Sequence, residues 1–96
     1  MKSKKKLPFK QKTLGDGQLL REFSEATSDE ELAWHRDRKD REVTVINGNG
    51  WYLQLDNMLP EHLEVGNTYK IPAREYHRLV KTEGCSQNLT IIIKEN

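Results

Sequence analysis

The feature that most limits what this chain can fold into is the spacing of its turn residues. Gly15-Asp16-Gly17, Asn47-Gly48-Asn49-Gly50, the run at 57–60, Gly66-Asn67, Pro72 and the polar run at 82–88 cut the sequence into short segments. Glycine and asparagine tolerate positive φ, and proline lacks a backbone donor, so each marks a place where regular structure stops. Between the marks stand EVTVI at 42–46, WYLQLD at 51–56, TYKI at 68–71, YHRLV at 76–80 and LTIIIK at 89–94. These are β-branched or alternate apolar with polar, which predicts strands. In 51–56, Trp51, Leu53 and Leu55 share one face, and Tyr52, Gln54 and Asp56 the other. The 89–94 run is apolar enough to predict burial on both faces.

Residues 18–24 predict an earlier strand, and 32–36 and 62–65 predict short ones. Asn47-Gly48-Asn49-Gly50 is the strongest hairpin signal and predicts pairing of 42–46 with 51–56. The stretch 66–81, GNTYKIPAREYHRLVK, reads as a strand, a tight turn at Pro72 and a return strand carrying His77. Ser28 with Glu31, or Thr27 with Glu30, imitates a helix capping box. A helix begun there would have to absorb Trp34, His35 and a dense run of charges with no C-cap before Asp40. A loop with at most one helical turn is the better reading. Seven or eight short strands with closely spaced turns predict an all-β sandwich or barrel.

Size and composition agree. Ninety-six residues make one domain, and 34% hydrophobic content with a mean hydropathy of −0.89 leaves material for only a small, thin core. Charge is unevenly placed. Residues 1–12 hold six of the sixteen basic side chains and none of the fifteen acids. Residues 1–16 therefore read as a basic disordered tail, and 17–96 as an acidic folded domain. Such a tail can serve as an electrostatic arm for nucleic acid or another polyanion. With Phe9 its one aromatic and no arginine, it offers little for base stacking or bidentate readout. The single cysteine, Cys85, excludes an internal disulfide and a paired-cysteine metal site, and reads as a free thiol in a reducing cytosol. No apolar run fits a secretory signal or a bilayer span, so a cytoplasmic protein without membrane contact is expected.

The residues with chemistry are few. His35 and Asp37 are two apart, a spacing that points both to one face of a strand, as a chelating pair requires. His77 lies on another predicted strand. Two histidines and a carboxylate form a ligand set for a divalent metal with open coordination positions. No Ser-His-Asp or Cys-His arrangement and no phosphate-cradling glycine loop accompanies them.

These residues resemble the two motifs of the cupin family. The second motif runs G-x5-P-x-G-x2-H-x3-N. Gly66, Pro72 and His77 match it in register, with Arg74 and Lys81 in place of the glycine and asparagine. The first runs G-x5-H-x-H-x3,4-E-x6-G. His35 and Gly48 match; Asp37 replaces the second histidine, Arg41 replaces the glutamate, and Asp29 stands where the leading glycine would be. The resemblance covers residues 32–96. It implies a small antiparallel β-barrel or jelly roll, often dimeric, whose pocket holds Fe, Mn, Ni, Zn or Cu.

Carried over residue by residue, His35, Asp37 and His77 are the metal ligands. Arg41 cannot ligate, because a guanidinium has no lone pair to give. Three arrangements remain open. An extra spacer puts Glu42 in the glutamate position. Alternatively, His35, Asp37 and His77 suffice, as in the 2-His-1-carboxylate face of non-haem iron oxygenases. Or Arg41 turns inward and fills the pocket by pairing with Asp37. Arg36, Arg78 and Arg41 are candidates to hold a small polar or anionic ligand, and Tyr76, with Trp34, Trp51, Tyr52 and Tyr69, either lines the pocket or packs the barrel. The resemblance thus implies a metal-dependent oxygenase, an isomerase or a binding protein. The rival is a metal-free cupin that binds a ligand or partner.

Overall fold

The computed structural model describes residues 8–95 of the chain. Its described residues contain eight strands and no helix. In chain order they are β1 (Phe9–Gly15), β2 (Gln18–Phe23), β3 (Arg41–Asn47), β4 (Trp51–Leu55), β5 (Glu61–His62), β6 (Thr68–Ile71), β7 (His77–Lys81) and β8 (Leu89–Glu95). All pairings are antiparallel, in a five-stranded sheet ordered β1-β2-β8-β3-β6 and a three-stranded sheet ordered β5-β4-β7.

The alternation of side chains builds the core. Phe23, Val43, Val45, Leu89, Ile91 and Ile93 point inward from the larger sheet, and Trp51 and Leu53 from the smaller, with Leu32 and Leu63 closing gaps. Trp51 is fully buried, and its indole nitrogen donates to Gln87 O at 2.8 Å. The architecture is all-β and jelly-roll-like. The two sheets are not joined into a closed barrel: corners link them, and the loop carrying His35 is tied to β7 by a single bridge from His35 to His77.

The structure corrects the sequence reading at several points. Residues 9–15 of the expected tail are β1, paired along its length with β2. Phe9 makes this a strand, because its ring packs against Phe23 with centroids 5.4 Å apart. The folded unit thus begins before residue 17. The lysines at 2, 4, 5 and 6 lie outside the described residues, while Lys10 and Lys12 sit exposed on β1. The Asn47–Gly50 turn makes no hairpin, since β3 and β4 belong to different sheets. Gly48 has φ +117° and runs so close to the Asn88 backbone that a Cβ there would lie 2.4 Å from its carbonyl oxygen. The glycines serve a tight crossing between sheets. Pro72 likewise marks a corner from β6 in one sheet to β7 in the other.

The strand expected at 32–36 reduces to the His35 bridge. In β8 only Leu89, Ile91 and Ile93 are buried, because its outer face is half-exposed rather than covered by a second layer. Ser28 and Glu31 do make reciprocal capping bonds, with Ser28 N donating to Glu31 Oε1 at 2.9 Å and Glu31 N to Ser28 Oγ at 3.3 Å, yet they close a turn and no helix.

Candidate metal centre

The site forms where the His35 bridge meets the start of β7. His35 N donates to His77 O at 3.0 Å, and His77 N to His35 O at 2.8 Å. This mutual pair sets the two imidazoles side by side, with ring centroids 4.3 Å apart. Asp37, two residues beyond His35, turns to the same face. Its backbone is fixed by Arg74 N, which donates to Asp37 O at 2.6 Å from the corner after Pro72. In the same loop Ala73 N donates to Asp40 Oδ1 at 2.7 Å. The two motif regions thus brace each other through backbone bonds and the Asp40 carboxylate.

One ligand atom from each of His35, Asp37 and His77 lies within 4.8 Å of the other two. His77 is buried, Asp37 mostly buried and His35 exposed at the mouth. Both imidazoles are oriented from behind. His35 Nδ1 lies 3.0 Å from Ala33 O, and His77 Nδ1 lies 2.9 Å from Glu75 O. A carbonyl oxygen can only accept, so each Nδ1 carries a proton, and in the neutral ring each Nε2 keeps its lone pair for the site. This backing is the arrangement that orients metal-ligating histidines.

The pocket side of that arrangement is unbalanced. His77 Nε2 is 3.2 Å from Asp37 Oδ2, and Arg41 Nη1 is 3.3 Å from the same oxygen. Neither approach has hydrogen-bond geometry, and the buried Oδ2 is left without a hydrogen-bond partner. A carboxylate oxygen and an imidazole lone pair repel each other unless a cation lies between them. Burial pushes the His77 imidazole below its ordinary pKa, and neighbouring His35 and Arg41 push the same way; the Glu75 carbonyl and the Asp37 carboxylate pull it up less. A proton is therefore a poor bridge. A divalent metal fits better, since ligands about 2.1 Å from an ion stand roughly 3.0–3.4 Å from each other. The 4.8 Å upper limit exceeds twice that bond length, so closing the set requires a small side-chain shift, which the exposed His35 is free to make.

The open questions at positions 41 and 42 resolve clearly. Glu42 lies on the outer face of β3 with Thr44, because Val43 and Val45 are the buried positions. It cannot reach the site. Arg41 does turn inward, but its main partner is Glu95: Nη2 and Nε lie 2.6 Å and 2.8 Å from Glu95 Oε2. Asp37 receives only the longer approach from Nη1.

A cavity of about 50 Å³ lies between the sheets, with apolar walls and His35, His77, Arg21 and Arg41 at one end. It shares Arg21, His35 and Arg41 with a mouth of about 370 Å³ that is bordered also by Phe9, Glu31, Leu32 and Asp37. Of the expected ligand-contacting residues, Arg41 lies there, while Arg36, Arg78 and Tyr76 border neither space. Arg36 lies over the Tyr76 ring at 5.1 Å, and Arg78 over the Trp34 ring at 4.7 Å while donating to Gln54. Sequence reasoning missed Arg21 and Glu95. The signal was alternation: Arg21 shares a face with Leu19 and the buried Phe23, and Glu95 continues the inward series Leu89, Ile91, Ile93.

No protein-family model and no curated protein sequence matches the chain. Solved structures do. A cupin domain from Bordetella pertussis is 14% identical and superposes with a TM-score of 0.65 over 98% of this chain and 99% of its own. An Fe(II) form of HppE gives a TM-score of 0.67 at 11% identity, over 82% of this chain and 41% of that one. A structure described with DMSP lyases gives 0.66 at 17% identity, over 79% and 35%. The chain thus spans about two fifths or less of the latter two proteins. At these identities the likeness establishes the fold, which is that of the cupins.

Proposed function

We propose that this cupin-fold chain binds a divalent metal through His35, Asp37 and His77 and presents it to a small polar or anionic ligand entering past Leu32 and Arg41. The observation that carries this reading is the buried Asp37 Oδ2, without a hydrogen-bond partner and 3.2 Å from a histidine nitrogen whose proton sits on the far side of the ring. The donor set of two imidazoles and one carboxylate suits Fe, Mn, Ni or Zn. The Fe(II) form of HppE offers a neighbour of the same fold with a metal.

When bound, such an ion supplies Lewis acidity or a redox centre with open positions for the ligand. The protein's residues do the rest. Ala33 O and Glu75 O hold the imidazoles in one tautomer, Glu95 restrains Arg41, and the apolar walls exclude water from the inner end. The fold does not choose among oxygenase, isomerase and binding protein. A cytoplasmic setting agrees with the free, half-buried Cys85 thiol; no helix among the described residues is long and apolar enough to cross a membrane.

A second reading has its own observation. Arg41 replaces the usual glutamate and lies 3.3 Å from Asp37, so a metal-free, ligand- or partner-binding cupin is the alternative. Elemental analysis decides between them, on wild type and His77→Ala purified without a nickel column. Near-stoichiometric metal in the first and loss in the second is expected. No metal in either, after incubation with Fe, Mn, Ni and Zn, establishes the metal-free module.

A further inference from the structure

We infer that Arg21 is the anion-docking residue of the mouth, and that the ligand reaching the metal is a small carboxylate with a short apolar body. The inference rests on the ligand-binding reading above. Arg21 is half-buried on the inner face of β2 and borders both the cavity and its mouth. Its cross-strand partners are Gln11 and Ile91, neither of which carries charge. Both Nε and Nη2 are given to one neutral oxygen, Gln11 Oε1, at 2.8 Å and 2.5 Å. Its guanidinium carbon lies 3.9 Å from the centre of the Phe9 ring. Among the described residues no carboxylate forms an ion pair with it.

A guanidinium drawn from water without an opposite charge is costly, and the usual remedy is a bidentate anion. The neighbouring acids are committed. Glu95 is held by Arg41, Asp37 faces its fellow ligand His77, and Glu31 at the rim of the mouth accepts from Ser28 N and Oγ. Burial and the nearby Arg41 lower the Arg21 pKa to about 10, which leaves it charged at neutral pH. Nη1, which has no hydrogen-bond partner among the described residues, is the edge left to give the mouth a fixed positive point. Phe9, Leu32 and Leu79 supply apolar wall beside it. At about 370 Å³ the mouth lies at the small end of ligand pockets, near the lower bound of roughly 300 Å³. This favours a short-chain carboxylate over a nucleotide or sugar chain.

The test is calorimetric titration of the full chain with butyrate and with its neutral isostere butyramide, repeated on Arg21→Gln. Zinc binding is measured on both proteins in parallel. Wild type is expected to prefer butyrate by at least about tenfold, as befits a charged hydrogen-bonded contact. Arg21→Gln should lose that preference and still bind zinc. Equal binding of acid and amide by wild type overturns the inference, without need of any variant. So does undiminished butyrate preference in a folded Arg21→Gln. If zinc binding fails in wild type while the Arg21-dependent preference persists, the metal reading falls and the anion site stands.

Discussion

At the residue scale, the candidate site depends on how one arginine is shared. Arg41 stands between Asp37 and Glu95, and two of its donors go to Glu95. Glu95 therefore keeps Asp37 available. Glu95→Ala should release Arg41 toward Asp37 and lower zinc affinity about ten- to hundredfold, the range typical of lost outer-shell partners. A competition titration against a chromogenic chelator measures it, and unchanged affinity removes Glu95 from this role. His77 gives a second expectation. Its folded pKa is lowered from 6.5, mainly by burial. Below pH 6.5 the unfolded chain then holds more protons than the folded one, so stability falls as pH falls through that window. Urea unfolding with EDTA present should give a lower midpoint at pH 5 than at pH 7.5, and replacing His77 with Asn should flatten that difference. An equal slope in both proteins shows that His77 does not govern the profile. The triad's residue types and spacing were legible in the sequence. Arg41's preference for Glu95 was not, because it depends on the β3–β8 register across 54 residues.

At the element scale, strands were more legible than their pairing. Alternation located β3, β4, β6, β7 and β8 to within about two residues, because it is a local property. The turns misled, since a glycine that permits a hairpin equally permits a corner, and only contact with Asn88 distinguishes them. Gly48→Ala tests the corner. Its Cβ would meet backbone at 2.4 Å and 2.9 Å with φ at +117°, so a loss of about 3 kcal/mol or more is expected in chemical unfolding. A loss below about 1 kcal/mol shows that the crossing has slack. Arg74 offers the opposite case. It occupies the glycine position of the second cupin-like motif and still adopts φ +66°. The backbone geometry persists because Arg74 N must reach Asp37 O. Arg74→Gly removes the left-handed penalty of about 1–2 kcal/mol but adds chain entropy. A net gain of about 0.5–1 kcal/mol is expected, seen as a melting temperature a few degrees higher. A lower melting temperature means the arginine side chain stabilises the corner.

At the scale of the whole molecule, the open sandwich makes its edges matter. In the larger sheet β1 covers β2 on one side, and β6 ends the other. The sequence concealed this role of β1, because its lysines and exposed polar residues read as tail while a single inward residue, Phe9, does the anchoring. Phe9 packs on Phe23, which in turn packs on Trp51 with centroids 6.0 Å apart, so the strand is tied to the centre of the core. A chain lacking residues 1–16 loses that ring and the Gln11 contact to Arg21, and it bares the edge of β2. Fully burying a phenylalanine is worth about 1.5–3 kcal/mol, and the partly buried Phe9 contributes a share of that, still sizeable for so small a domain. The truncated chain should unfold at lower urea by at least that equivalent, and the uncovered edge should promote self-association. Phe9→Ala, which keeps the strand's length and charge, should reproduce most of the stability loss without the association. Urea melts with size-exclusion chromatography separate the two effects. Wild-type stability in both variants would return residues 1–16 to the status of a tail, and the mouth would then be bordered by β2 and the 31–37 loop alone.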